Sequence, residues 1–268
     1  MFVRIKQKRN LNMSEIIKPN PVTVDGVINV RDLGGYPVKD GRMRSGRLLR
    51  GAELSTLTAQ GQQQLAQYPV GIVIDMRTDA EIEPKPDILP EGAQMIHLDV
   101  MAGQNLDPIA MLELLKENDG ATLMRESYRV YVTDATAIEA WRQYFQLLLN
   151  QDDNAIYYHC TAGKDRTGIA TALVLFALGA KHRVVMADYL LSNVYREVLI
   201  QQQLEQIQAL MPDVSPESVL DLLVVREDYL ETLLTTVDEN YGDMDNFLSS
   251  ALGIGKKERE QLKSMLVI

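Results

Sequence analysis

The run His159-Cys160-Thr161-Ala162-Gly163-Lys164-Asp165-Arg166-Thr167-Gly168 constrains the fold of this chain more than any other stretch. A short apolar segment, Ala155-Ile156-Tyr157-Tyr158, leads into it, and a long alanine-rich apolar segment, Thr167 to Ala180, leaves it. Those flanks predict strand, tight loop, helix. Such a loop points successive backbone N–H groups at one spot, at the positive end of a helix. A dianionic phosphate fits there, with the thiolate of Cys160 beneath it and the guanidinium of Arg166 beside it.

The residue types suit that chemistry. The thiolate, not the thiol, is the nucleophile, and N–H donors, a helix N-terminus and a nearby arginine all favour the anion. Arg166 can hold two phosphoryl oxygens through parallel hydrogen bonds, which a lysine cannot do. Thr161, Ala162, Gly163 and Lys164 form the rest of the cradle. Gly163 and Gly168 are expected to let backbone approach the anion without a Cβ in the way. The Thr167 hydroxyl is placed to steady the sulfur, and His159 to orient the loop through its ring nitrogens. The reaction implied is attack of Cys160 on phosphorus, departure of the ester oxygen with a proton, then hydrolysis of the phosphocysteine by water. It calls for no metal or cofactor. The structural alternative is a buried cysteine beside an unrelated arginine.

These residues resemble the signature of the cysteine-dependent protein tyrosine phosphatases. The string HCTAGKDRTG is similar to a bacterial branch of tyrosine, dual-specificity and lipid phosphatases, which includes secreted enzymes of mycobacteria and Listeria. Asn29-Val30-Arg31-Asp32-Leu33-Gly34-Gly35, Arg47 to Leu54, Ile74-Asp75-Met76-Arg77 and Asp188 to Asn193 resemble further landmarks of that branch. The resemblance spans roughly residues 20 to 200. It implies phosphotyrosine hydrolysis first, with phosphoserine or phosphothreonine tolerated, and phosphoinositide hydrolysis, through Lys164, as the alternative. Dedicated phosphoinositide enzymes carry a second lysine directly after the cysteine, where this chain has Thr161.

The leaving oxygen needs a proton. Asp165 lies inside the loop, and the resemblance favours it as the acid. Asp99 follows the apolar stretch Met95 to Leu98, and Asp75 ends the apolar strand Gly71 to Ile74, where active-site groups gather in α/β sheets. Asp75 also reads as a strand-end carboxylate paired with Arg77, the preferred reading. Arg77 and Glu81 read as an i,i+4 ion pair at a helix start. Arg31 and Asp32 read as support for the phosphate loop or as a mutual pair, and Asp32 before Leu33-Gly34-Gly35 also reads as turn chemistry. Tyr128 and Tyr131 read as packing residues ahead of substrate-stacking ones.

Strands are expected near Val27–Val30, Leu48–Arg50, Gly71–Asp75, Gln94–Leu98 and Ala155–His159. Helices are expected over Thr58–Gln67, Ala135–Leu149, Thr167–Leu178, Arg183–Ser192, Asp221–Val237 and Lys256–Leu266. The alternation predicts an α/β fold with a mostly parallel central sheet flanked by helices, and a helix-rich C-terminal third. Pro212 to Pro216 breaks that third, with Ser215 as N-cap and Pro216 at the first helical position. At 268 residues the chain fits one large domain, expected over 20–268 behind a flexible tail, 1–19. The stretch 101–132 is an extra piece, read either as an amphipathic lid, as in the mycobacterial relative, or as a surface helix with a buried face.

The net charge of −10 leaves no basic stripe for a nucleic-acid backbone, so the anion site must be a local positive pocket in a negative field. A single cysteine excludes an internal disulfide and an internal thiol relay of the arsenate-reducing kind. Three histidines lie too far apart in sequence for a zinc set. Met1 to Asn10 is basic, with no apolar run of signal-peptide length behind it, and Met13 is an alternative start. A cytoplasmic location is the default expectation, with secretion lacking a recognisable signal left open. Gly168 to Ala180 is too short to span a membrane. A phospho-ligand binding module without turnover is the remaining alternative; such modules usually lose the cysteine or the arginine.

Overall fold

The computed structural model describes residues 16–101 and 113–268. Its centre is a five-stranded sheet in the order β1-β4-β7-β5-β6. The strands are β1 (Arg31–Asp32), β4 (Leu48–Gly51), β5 (Val70–Asp75), β6 (Gln94–His97) and β7 (Ala155–His159). A separate two-stranded ribbon pairs β2 (Pro37–Val38) with β3 (Gly41–Arg42). In the main sheet only β1 is antiparallel, to β4; the other neighbours run parallel. Parallel strands are covered on both faces, and β7 is buried at every residue. Its side chains alternate: Ile156 and Tyr158 join the larger core on one face, while Ala155 and Tyr157 join a smaller core on the other.

Among the described residues the α-helices of at least four residues are α1 (Ala59–Leu65), α2 (Asp79–Ile82), α3 (Gly120–Thr133), α4 (Ala135–Asn150), α5 (Asp165–Ala177), α6 (His182–Tyr195), α7 (Glu197–Leu210), α8 (Pro216–Leu223), α9 (Glu227–Tyr241) and α10 (Lys256–Leu266), with a short helical turn at Met244–Asn246 and a π-helix over Phe247–Ala251. Helix α5 carries almost no polar face and is buried along its length, as its apolar sequence requires. Thr58 caps α1 through its hydroxyl. Ser215 caps α8, with Pro216 in the first turn, as the sequence predicts. Among the described residues no helix is long and apolar enough to cross a membrane.

Two expectations need correction. The strand expected at Val27–Val30 is instead the two-residue β1, preceded by an isolated bridge between Val24 and Val27. The single helix expected over Asp221–Val237 is two, α8 and α9, parted at Val224-Val225-Arg226. The break contains neither glycine nor proline. It is held by Asn193 of α6, whose side-chain amide accepts from Val225 N–H at 2.8 Å and donates to Val225 C=O at 2.8 Å. Those are the backbone groups a continuous helix would have used.

Of the expected tail, residues 1–15 lie outside the described residues, and Ile17 is packed in the main core. Of the stretch expected as a lid, residues 102–112 lie outside the described residues. Its later part is α3, which packs on α8 and α9 with Met124, Tyr128, Tyr131 and Val132 buried.

Candidate active site

Cys160 follows β7 directly, and Lys164 precedes the first residue of α5. The loop between them is anchored by its carbonyls. Arg50 Nη2 and Asn29 Nδ2 donate to Gly163 C=O at 2.9 and 2.8 Å, Asn29 Nδ2 also reaches Ala162 C=O at 3.2 Å, and Glu53 N–H donates to Thr161 C=O at 3.2 Å. A trans peptide carries its N–H opposite its C=O. Turning these carbonyls onto the body of the protein therefore turns the N–H groups of residues 162–164 the other way, to the side open for an anion.

Gly163 sits at φ +65°, and a Cβ there would stand 2.1 Å from Gly51 C=O. A Cβ on Gly168 would meet the Tyr189 ring at 3.0 Å. The two glycines are thus required by packing of the loop on β4 and of α5 on α6, rather than by the approach of an anion. Asn29 is itself left-handed, at φ 60°. Its side chain accepts from Arg31 Nη1 at 2.7 Å while gripping the loop.

A cavity of about 300 Å³ opens over the loop. Cys160, Thr161, Ala162, Lys164, Asp165 and Arg166 line its floor, while Met101, Met124, Tyr131, Ile207 and Leu222 supply apolar walls. Burial alone would raise the Cys160 thiol. The Arg166 guanidinium, with the Thr167 hydroxyl and N–H, outweighs it and holds the thiol below the ordinary range. The Thr167 hydroxyl is buried without a well-aligned partner and stands beside that sulfur. Asp165 accepts from Tyr128 O–H at 2.9 Å and from Lys164 Nζ at 2.7 Å.

Glu81 is the site residue that sequence reasoning misplaced. It does not pair with Arg77; it forks Arg166, with Oε2 2.6 Å from Nη1 and Oε1 2.7 Å from Nη2, and accepts from the Thr161 hydroxyl. The available signal was Thr78-Asp79-Ala80-Glu81, a capping box. The box forms, with Thr78 as N-cap of α2, and fixes Glu81 at the cavity edge. Burial raises the Glu81 carboxyl, but the bonds and charge of Arg166, with Thr161 and Thr78, bring it down from 4.5 to about 2. The folded value lies below the unfolded one, so the stabilisation is complete above about pH 4.5 and is lost as pH falls toward 2. Urea midpoints should therefore drop more steeply between about pH 5 and about pH 3 in the wild type than in Glu81→Gln. Identical pH slopes in the two proteins would refute this.

The remaining predicted residues are supports or lie apart from the cavity. Asp75 is fully buried, and both its oxygens accept from Arg77, at 2.7 to 3.1 Å. It has no route to a leaving group, so its reading as an acid is withdrawn in favour of the pairing. Asp32 accepts from Gly34 and Gly46 N–H at 2.9 and 2.8 Å, which is turn chemistry; its partner is not Arg31. Arg31 and Arg50 instead share Asp188. Asp99 is absent from the cavity wall and accepts from Met101 N–H at 2.8 Å. Burial holds it above the usual carboxylate range. His159 is fully buried behind the loop, with Nδ1 3.1 Å from Cys160 C=O and Nε2 3.0 Å from Asp87. Asp75, Asp87 and His159 converge as a metal set would, but Arg77 occupies the cation's place, 2.7 Å from Asp75 and 3.0 Å from Asp87.

Similarity to known proteins accords with this geometry. The sequence profile of the tyrosine phosphatase family matches residues 22–268. A protein of Cupriavidus necator, assigned provisionally as a tyrosine-protein phosphatase, is 30% identical over 235 residues, which is 86% of this chain and 83% of that one. The triple specificity protein phosphatase PtpB of Mycobacterium tuberculosis is 30% identical, over 90% of this chain and 97% of its own. A tyrosine-protein phosphatase of Nostoc commune is 28% identical, over 81% of this chain and 73% of its own.

Proposed function

The chain belongs to the tyrosine phosphatase family, and on that premise we propose that it hydrolyses phosphotyrosine through a phosphocysteine intermediate. The observation that carries this reading is Cys160 on the cavity floor, its thiol lowered by Arg166 and Thr167, under a loop whose carbonyls are all turned away. Substrate phosphate displaces Glu81 from part of the Arg166 fork and takes the loop N–H groups. The apolar walls fit an aryl ring. Cys160 Sγ bonds to phosphorus as the ester oxygen leaves. Asp165, the carboxyl on the cavity floor, delivers the proton and then activates the hydrolytic water. Tyr128 and Lys164 orient it. Positioning and charge stabilisation supply most of the acceleration.

A second reading, phosphoinositide hydrolysis on the same loop, is favoured by Lys164, which is buried at the cavity and aims an ammonium at its floor. A binding module without turnover fits less well, since both nucleophile and arginine are present and assembled. The test is phosphate release in EDTA from phosphotyrosine, phosphoserine and phosphoinositide substrates, with Asp165→Asn alongside. Turnover should survive EDTA, and Asp165→Asn should slow alkyl phosphates about tenfold more than activated aryl phosphates, whose oxygens leave unprotonated. No release from any substrate overturns the reading; equal losses across leaving groups overturn the role given to Asp165.

A further inference from the structure

We propose that Arg196, together with Lys164, forms a subsite for a second phosphate on the substrate, carried on the same compact polyol ring as the phosphate that Cys160 attacks. The inference rests on the phosphatase reading above and names a specificity determinant within it.

The cavity holds three cations, Lys164, Arg166 and Arg196. Arg166 is forked by Glu81, and Lys164 lies 2.7 Å from Asp165. Arg196 has no carboxylate partner among the described residues. It is 2% exposed, yet among the described residues its guanidinium meets only neutral groups: Nη1 donates to Leu223 C=O at 2.7 Å, Nη2 donates to Gln203 Oε1 at 3.4 Å, and Nε–H finds no acceptor. A buried charge without a counter-ion is costly to the fold, and an orphaned buried donor adds to that cost. Arg196 sits where α6 gives way to α7; its side chain caps neither of those helices, and its bond to Leu223 C=O serves the last carbonyl of α8 while leaving the charge without a counter-ion. Burial pulls its guanidinium below the usual arginine range, opposed by the charges of Asp165 and Cys160, so it faces the reacting groups. An incoming anion supplies the missing partner and the missing acceptor together.

The depth of the site selects the anion. Arg196 and Lys164 are both buried, and both line the cavity that holds Cys160. In a doubly phosphorylated peptide the second phosphate sits on a neighbouring side chain, at the cavity mouth. A small ring bearing two phosphates carries both to the floor. When the second phosphate arrives, the Arg196 fork grips it, and Lys164 turns from Asp165 to share it.

The experiment compares monophosphates and bisphosphates on the wild type, Arg196→Gln and Arg196→Lys. The probes are dioctanoyl phosphatidylinositol phosphates, the same headgroups without acyl chains, a phosphotyrosine peptide, and a phosphotyrosine-phosphoserine peptide. Calorimetric binding to Cys160→Ser, read without turnover, backs the kinetic ratios. The wild type should prefer bisphosphate over monophosphate headgroups by about tenfold or more in kcat/KM. The preference should persist without acyl chains, collapse in Arg196→Gln and recover only partly in Arg196→Lys. A bisphosphate preference that needs the acyl chains, or that survives Arg196→Gln, overturns the subsite. So does a doubly phosphorylated peptide that gains as much as the headgroup. If neither variant folds, a wild-type ratio near one refutes the proposal by itself. Absence of turnover on every one of these probes in the wild type, by contrast, refutes the phosphatase reading, and bisphosphate binding to Cys160→Ser still reports on the subsite.

Discussion

Cys160→Ser is expected to abolish phosphate release, by on the order of 10⁴-fold or more, while leaving the fold intact. The sulfur is the softest and strongest nucleophile on the cavity floor, and its ionisation is brought below the usual thiol range. A serine hydroxyl occupies nearly the same volume, but the same surroundings cannot bring it near ionisation at neutral pH. The loop does not depend on the sulfur for its shape. Its carbonyls are held by Arg50, Asn29 and Glu53 N–H, none of which touches the substituted atom. The thermal midpoint should therefore stay within a few degrees, consistent with a change of about 1 kcal/mol or less. Phosphate release and thermal unfolding on the same sample check both halves. Turnover within about tenfold of wild type would remove Cys160 as the nucleophile. Lost turnover together with a collapsed midpoint would show only that the loop had been broken.

What could be read from the sequence was what is local. The phosphate loop, β7 and α5 form one continuous segment, and its apolar flanks declare strand and helix without help from the rest of the chain. The caps at Thr58 and Ser215 are equally local. The errors come from long-range partners. Arg77 and Glu81 are four apart, and helix geometry offers them to each other. Glu81 instead meets Arg166, 85 positions away, and Arg77 is taken by Asp75 and Asp87. The break between α8 and α9 has no signal in its own residues because its cause is Asn193, 32 positions back. Arg196 carries no local signal either. An arginine between two helices is ordinary until burial takes away its solvent and no acid among the described residues pairs with it.

The Asn29 to Gly35 landmark gains its physical meaning from Asp188, and Asp188→Ala is expected to cost about 3–5 kcal/mol of stability. Arg31, Arg50 and Asp188 are all fully or almost fully buried. Asp188 Oδ1 lies 2.8 Å from Arg31 Nε and also accepts from Tyr36 O–H at 3.0 Å; Oδ2 lies 2.5 Å from Arg50 Nη1. Burial would raise this carboxyl, and the two arginines bring it below the usual range. One carboxylate, shielded from bulk solvent, thus balances two guanidinium groups. Removing it strands both, which costs far more than the net worth of the pairs. The consequence reaches the active site, because Arg50 also holds Gly163 C=O and Arg31 holds Asn29, which grips the same loop. Even at temperatures where the variant remains folded, kcat should fall at least as much as substrate affinity. Urea unfolding measures the first effect, and steady-state kinetics well below the midpoint measures the second. A stability loss under about 1 kcal/mol would mean that the arginines find other partners, and the loop would then owe its shape to Asn29 and the Glu53 N–H.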